Sequence, residues 1–237
     1  MNKRILILFT MIFLVNIVGK CSNPKNSENN EVPEIPGAKN ILSLGDSYTI
    51  GESVEVENRW PNQLARALCG IGIGVNQPQI IARTGWTTTE LLNGVQNSQL
   101  DPPYNLVTLL IGVNDQYRGL GINYYRDGFL KLINKAIQFA GNDTSRVIVL
   151  SIPDYSVTPF AQGGDTARIR QELDQFNMLN QELSLQAGVH YVNITPISRK
   201  ARKDRTFLAP DNLHPSGKMY AEWVELVLPI AVEILKE

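Results

Sequence analysis

Five short, mainly apolar runs punctuate the chain, at residues 40–44, 78–82, 105–111, 146–152 and 189–194. None shows the polar alternation of a strand with one wet face, and all are short for a helix. Apolar strands without alternation are those buried on both faces. Between the runs the pattern turns helical, over residues 60–69, 87–93, 124–140 and 166–187, and a last helix over 215–235 closes the domain. Strands alternating with helices at this spacing call for right-handed crossovers and an α/β fold, with a parallel sheet between two helical layers. The helix ends agree. Asp165 or Thr166 can cap the long helix, and Gly141 and Gly188 follow helices where a left-handed residue commonly ends one. Pro229 lies inside the last helix and is expected to kink it.

Composition narrows the class. Lys and Arg number 22 against 23 Asp and Glu over 237 residues, and 43% of the chain is apolar, which suits one globular domain with extensions. No basic stripe interleaved with aromatics is present, so no nucleic-acid partner is expected. The densest basic stretch, residues 199–205, reads as a solvated loop, with contact to an anionic headgroup or acidic substrate as the alternative.

The N-terminus reads as a targeting segment. Lys3 and Arg4 precede an apolar stretch over residues 5–18, short of the roughly 20 residues a spanning helix needs. Cys21 follows, then a polar segment rich in Asn, Glu and Pro. This order resembles a bacterial lipoprotein signal, in which the cysteine becomes the lipidated first residue. Lys20 stands where such signals normally carry a small residue, so plain secretion and an uncleaved anchor stay open beside a membrane tether through Cys21. The expected division is a signal over residues 1–21, a flexible linker over 22–39 and a single folded domain over 40–237. A tether of that length would hold the domain about 20–25 Å from a membrane. Cys21 and Cys69 are the only cysteines. They supply no disulfide framework within the mature domain and no metal-ligand cluster. Cys69, on an apolar helical face, reads as an inert thiol.

Polar motifs stand at the ends of the strand candidates. Gly45-Asp46-Ser47-Tyr48-Thr49 follows the first, Arg83-Thr84-Gly85-Trp86 the second, and Gly112-Val113-Asn114-Asp115 the third. In parallel sheets, ligands bind outside the carboxyl ends of the strands, so these segments should converge. A serine on a sharp strand-to-helix turn is held exposed, as a nucleophile must be. Acyl transfer through serine also requires a base, an orienting acid and donors for the developing oxyanion. The only histidines are His190 and His214. His190 begins a strand candidate with no acid at useful spacing and reads as structural. His214 has Asp211 three residues before it and Pro215 after it, so a turn can bring the carboxylate to Nδ1. An incidental surface Asp and His would look the same. Asp46 is expected to make a structural hydrogen bond. Tyr48 and Trp86 either wall an acyl pocket or simply pack. Residues 115–118 line the cleft or form a solvated loop, and residues 153–165 form a substrate-binding flap or a passive loop.

The ordered motifs resemble the SGNH, or GDSL-type, hydrolase superfamily. Gly45-Asp46-Ser47 resembles its first motif, Thr84-Gly85-Trp86 its second, Gly112-Val113-Asn114-Asp115 its third and Asp211-Asn212-Leu213-His214 its fifth. The resemblance spans roughly residues 41–223. It implies a three-layer α/β/α, flavodoxin-like fold with a five-stranded parallel sheet. It also implies Ser47 as nucleophile, His214 as base, Asp211 as acid, and an oxyanion hole from the Ser47 N–H, the Gly85 N–H and the Asn114 side chain. The expected protein is a secreted or membrane-tethered serine esterase without a cofactor, acting on acetylated saccharides, short-chain acyl esters or lysophospholipids. Two alternatives stand beside it. One is an acyltransferase on the same serine. The other is a non-catalytic flavodoxin-like binder using the hydroxyl-rich first turn, although that turn lacks a phosphate cradle.

Overall fold

The computed structural model describes residues 37–236. The five expected strands form, each within two residues of its sequence-based start: β1 (Ile41–Gly45), β2 (Gln79–Ala82), β3 (Leu106–Leu110), β4 (Val147–Leu150) and β5 (His190–Val192). They make one sheet in the order β2-β1-β3-β4-β5. All four pairings are parallel. β1, β3 and β4 are buried at every residue, which explains their predominantly apolar, non-alternating sequences. Ser43 and Thr108 are the polar residues within these strands. They face each other in register, and the Thr108 hydroxyl donates to Ser43 Oγ at 3.0 Å. The bond satisfies a buried pair that would otherwise cost about 1–3 kcal/mol per unpartnered group.

Among the described residues, eight α-helices connect and flank the strands: α1 (Ser47–Ile50), α2 (Trp60–Gly70), α3 (Thr88–Gln96), α4 (Val113–Tyr117), α5 (Ile122–Phe139), α6 (Thr166–Gln186), α7 (Thr195–Ser198) and α8 (Gly217–Lys236). α2 packs on α8, while α5 packs on both α3 and α6. β3 touches α5 and α8, so the sheet lies between the two helical groups. α6 shows why these helices form. Ile169, Leu173, Phe176, Asn180 and Leu183 repeat at helical spacing and are all buried. Asp165 caps it by accepting the Arg168 N–H, while Gly141 and Gly188 hold the expected positive φ. α8 continues through Pro229 without ending there.

Four details depart from the sequence reading. Lys39, assigned to the linker, already bridges to Val75. Cys69 is not an inert free thiol but disulfide-bonded; the other cysteine, Cys21, lies outside the described residues, as do the expected signal and most of the linker. The basic stretch 199–205 is mostly exposed, as expected, but it is ordered and paired and not a loose loop. It forms two 3-10 turns, with Arg199 paired to Asp154 and Asp174 and Lys200 to Glu222. These acids are distant in sequence, so local charge reading could not find them. Residues 153–165 are divided: residues 153–158 pack into the fold, while Phe160 and residues 162–165 are exposed. Asp154, Tyr155, Ser156, Val157 and Thr158 are all buried.

The turn from β1 into α1 is the tightest point near the sheet edge. A Cβ at Gly45 would stand 2.2 Å from Thr49 Oγ1 and 2.5 Å from the Leu110 carbonyl oxygen. Gly45→Ala is therefore expected to destabilise the fold by about 1–3 kcal/mol, read as a lowered urea midpoint. An unchanged midpoint would mean that the turn relaxes freely.

Candidate active site

The strand order reverses between β1 and β3, at the point where open α/β sheets bind ligands. Ser47 emerges from β1 as the first residue of α1. Its predecessor Asp46 caps that helix, with Oδ1 accepting the Tyr48 N–H at 3.0 Å, as the sequence reading expected. Asn114 emerges from β3 on α4, and Gly85 lies on the turn after β2. Asp211 and His214 come from the segment before α8. There the Leu208–Pro215 bridge and the Ala209 N–H, donating to the His214 carbonyl at 2.8 Å, pin a compact loop.

Asp211 orients His214 three times over. Its Oδ1 accepts both the Leu213 and His214 backbone N–H groups at 2.9 Å, and its Oδ2 lies 2.7 Å from His214 Nδ1. Burial raises the Asp211 carboxyl, but hydrogen bonds from the His214 ring, the Ser53 hydroxyl and these two N–H groups outweigh it and hold the carboxyl at about 2. Asp211 is thus a carboxylate, fixing the imidazole tautomer with the proton on Nδ1 and the lone pair on Nε2. Tyr48 supports the ring edge-on, with centroids 5.6 Å apart. Ser53 was not legible as a partner, because nothing in its sequence position points toward residue 211.

Ser47, Gly85, Asn114 and His214 line one cavity of about 130 Å³, walled by Tyr48, Tyr117, Tyr155 and Phe160. Larger clefts elsewhere, such as one of about 580 Å³ between α3 and α5, contain none of these residues. Ser47 and His214 make no direct hydrogen bond among the described contacts; such bonds commonly close only around substrate. The Ser47 and Gly85 N–H groups donate to no other described protein group. Gly85 has φ +84°, a conformation that side chains rarely adopt, and it presents no Cβ to the cavity. One Asn114 Nδ2 proton goes to the Trp86 carbonyl at 3.0 Å, orienting the amide and leaving its second N–H for the cavity.

The remaining sequence candidates separate. Trp86 is not a pocket wall; its ring packs where a Cβ on Gly94 of α3 would stand. Residues 115–118 are not a solvated loop. Asp115 is buried and accepts the Thr88 N–H and hydroxyl at 3.0 and 2.6 Å. Gln116 accepts the Tyr155 hydroxyl at 3.0 Å and donates to Glu172 at 2.7 Å. Tyr117 borders the cavity. His190 begins β5, at the amino end of the parallel sheet and so at the edge opposite Ser47.

Over residues 43–222 the sequence matches the model of the GDSL-like lipase/acylhydrolase family. The chain belongs to that family. It is a carboxylic ester hydrolase with the expected α/β fold, and the non-catalytic reading falls away. Among solved structures, the lipase/acylhydrolase from Enterococcus faecalis superposes with a TM-score of 0.63 at 20% identity, covering 84% of this chain and 96% of its own. The psychrotrophic esterase from Pseudoalteromonas sp. gives 0.62 at 17% identity, covering 84% of this chain and 100% of its own. An acetylxylan esterase from Geobacillus stearothermophilus gives 0.62 at 16% identity, covering 85% and 96%. At these identities the likeness is one of fold. No curated protein sequence matches the chain.

Asp46 carries a consequence for stability. Burial, reinforced by the charge of Asp115 and opposed by the Tyr48 N–H, pushes its carboxyl up to about 8. The folded state therefore keeps a proton that the unfolded chain releases near 3.8. Stability from this group is full below that value and falls as pH rises toward 8. Asp46→Asn mimics the neutral acid, so its urea midpoint should decline less than that of wild type between pH 5 and 8. Equal declines would place the proton elsewhere.

Proposed function

We propose that this family member is a serine esterase for short acyl groups, with Ser47 as nucleophile, His214 as base, Asp211 as orienting acid, and the Ser47 N–H, Gly85 N–H and Asn114 amide as oxyanion donors. The observation that carries the proposal is the gathering of Ser47, Gly85, Asn114 and the Asp211-bound His214 around one small cavity. His214 Nε2 takes the Ser47 proton as Oγ attacks the ester carbonyl. The three donors receive the negative oxygen, each worth roughly 2.7–4 kcal/mol where such donors have been removed. As the tetrahedral centre collapses, His214 gives the proton to the departing alkoxide and leaves an acyl-serine. Water then attacks with His214 as base, and the second collapse returns the proton to Ser47 and releases the acid.

Cavity size supports the acyl preference. A cleft of about 130 Å³ suits a short acyl chain such as acetyl to butyryl. A long lipid chain would have to extend out of it. The alcohol portion would lie toward Tyr117 and Phe160, residues that are 58% and 49% exposed beside the cavity.

Turnover of p-nitrophenyl acetate should exceed that of the palmitate ester, and Ser47→Ala should lose about 10³-fold or more in kcat. Full activity in Ser47→Ala, or a palmitate preference, would refute the assignment. Product analysis with a sugar alcohol present separates hydrolysis, which yields only free acid, from acyl transfer.

Export is part of the same proposal, supported by the Lys3–Arg4 start, the apolar stretch before Cys21 and the oxidised Cys69. One sulfur cannot carry both a lipid thioether and a disulfide, so an intrachain bond to Cys69 favours export without a lipid on Cys21. Intact-mass measurement of the mature protein should then show an oxidised cysteine pair and no acyl mass. A diacylglyceryl adduct on Cys21 would establish the membrane tether instead.

A further inference from the structure

Gly85 has no side chain to hold its peptide in place, so whatever aims its N–H must grip the turn from outside. Four groups do so. The Thr84 hydroxyl donates to Glu52, just beyond α1. The Gly85 carbonyl accepts from Arg118 Nη2, and the Trp86 carbonyl accepts from Asn114. Thr87 donates its N–H and its hydroxyl to Glu90 Oε2 at 2.8 and 3.1 Å. Arg118 joins two of these grips. While Nη2 holds the Gly85 carbonyl, Nη1 donates to Glu90 Oε1 at 3.1 Å. One guanidinium thus ties the middle of the turn to the capping box of α3, and it does so from the residue that ends α4, the helix carrying Asn114.

We propose that Arg118 is a positioning residue that fixes the Gly85 N–H, and with it the spacing between Gly85 and Asn114, for the oxyanion. The inference rests on the reading of Gly85 as an oxyanion donor. A planar fork with paired donors suits the task, because one rigid group can meet a carbonyl and a carboxylate together, which an ammonium does less well. Arg118 does not border the cavity, so it acts through the turn and not on the substrate. Its ion pair with Glu90 is about 40% exposed on both sides. Exposed pairs of this kind contribute little to global stability. Loss of Arg118 should therefore show in the chemical step and not in unfolding.

The test compares Arg118→Ala and Arg118→Lys with wild type on p-nitrophenyl acetate, together with urea midpoints and hydrogen exchange of the Trp86 N–H. Misplacing a donor by about 1 Å can cost ~10²-fold. Arg118→Ala should accordingly lose on the order of 10²-fold in kcat with KM held. The urea midpoint should stay close to wild type, exchange of the Trp86 N–H should accelerate, and Arg118→Lys should recover part of kcat. An unchanged kcat, or a loss confined to KM, would overturn the proposal. Should Arg118→Ala fail to fold, Arg118→Lys carries the same kcat-against-KM comparison. If wild type hydrolysed no p-nitrophenyl ester, the esterase reading would fail on its own. Exchange of the Trp86 N–H, which donates to the Arg83 carbonyl at 3.2 Å, would still decide the clamp, because protection retained there in Arg118→Ala rules it out.

Discussion

β1 and β3 lie side by side at the centre of the sheet, both fully buried and joined by the Ser43–Thr108 hydroxyl pair. Because they run in the same direction, the turns that follow them leave the sheet together, one carrying Ser47 and the other Asn114. β2, on the other side of β1, brings the Gly85 turn to the same edge. Only the Asp211–His214 loop comes from outside this arrangement, and it is pinned by its own bridge and by the carboxylate that caps its turn. Slipping the β1–β3 register would separate the groups that line the cavity, whatever their individual chemistry.

α4 turns that adjacency into precision. Asn114 bonds the Trp86 carbonyl, Asp115 bonds Thr88, Gln116 holds the Tyr155 hydroxyl, and Arg118, capping the helix, grips Gly85. A single turn of helix thus fixes the second motif, the start of α3 and one wall of the pocket. The buried acids around it meet their burial in different ways. Asp154 is paired with Arg170 and Arg199, Asp115 has two bonds from Thr88, and Asp46 keeps a proton instead. Among the described contacts Asp46 has neither the arginines of Asp154 nor the hydroxyl donor of Asp115, and its Oδ1 accepts the Tyr48 N–H.

The sheet was legible in the sequence because its central strands are buried on both faces and their sequences are predominantly apolar without alternation. The long helices were legible from their spacing and caps, as with Asp165 and Gly188. The cavity residues Ser47, Gly85, Asn114 and His214 were legible because each stands in a short motif at a strand end or beside Pro215. α1 and α7, of four residues each, were not, since one turn has no periodicity to detect. The Arg118–Gly85 contact, the Arg199–Asp154 pair and the Ser53–Asp211 bond join residues 33, 45 and 158 positions apart and left no local trace. Trp86 neighbours Gly85, so the sequence left it open between a pocket wall and simple packing. Its ring fills the space over Gly94, a choice made by packing against α3.

The account depends on a negatively charged oxygen being received where the turns after β1, β2 and β3 meet. The structure of a phosphonate adduct tests this directly, because its tetrahedral phosphorus carries such an oxygen. The predicted adduct is on Ser47 Oγ, with the phosphonyl oxygen about 2.7–3.1 Å from the N–H groups of Ser47 and Gly85 and from Asn114 Nδ2. An adduct on another residue, or one on Ser47 whose oxygen turns to solvent away from Gly85 and Asn114, would contradict it.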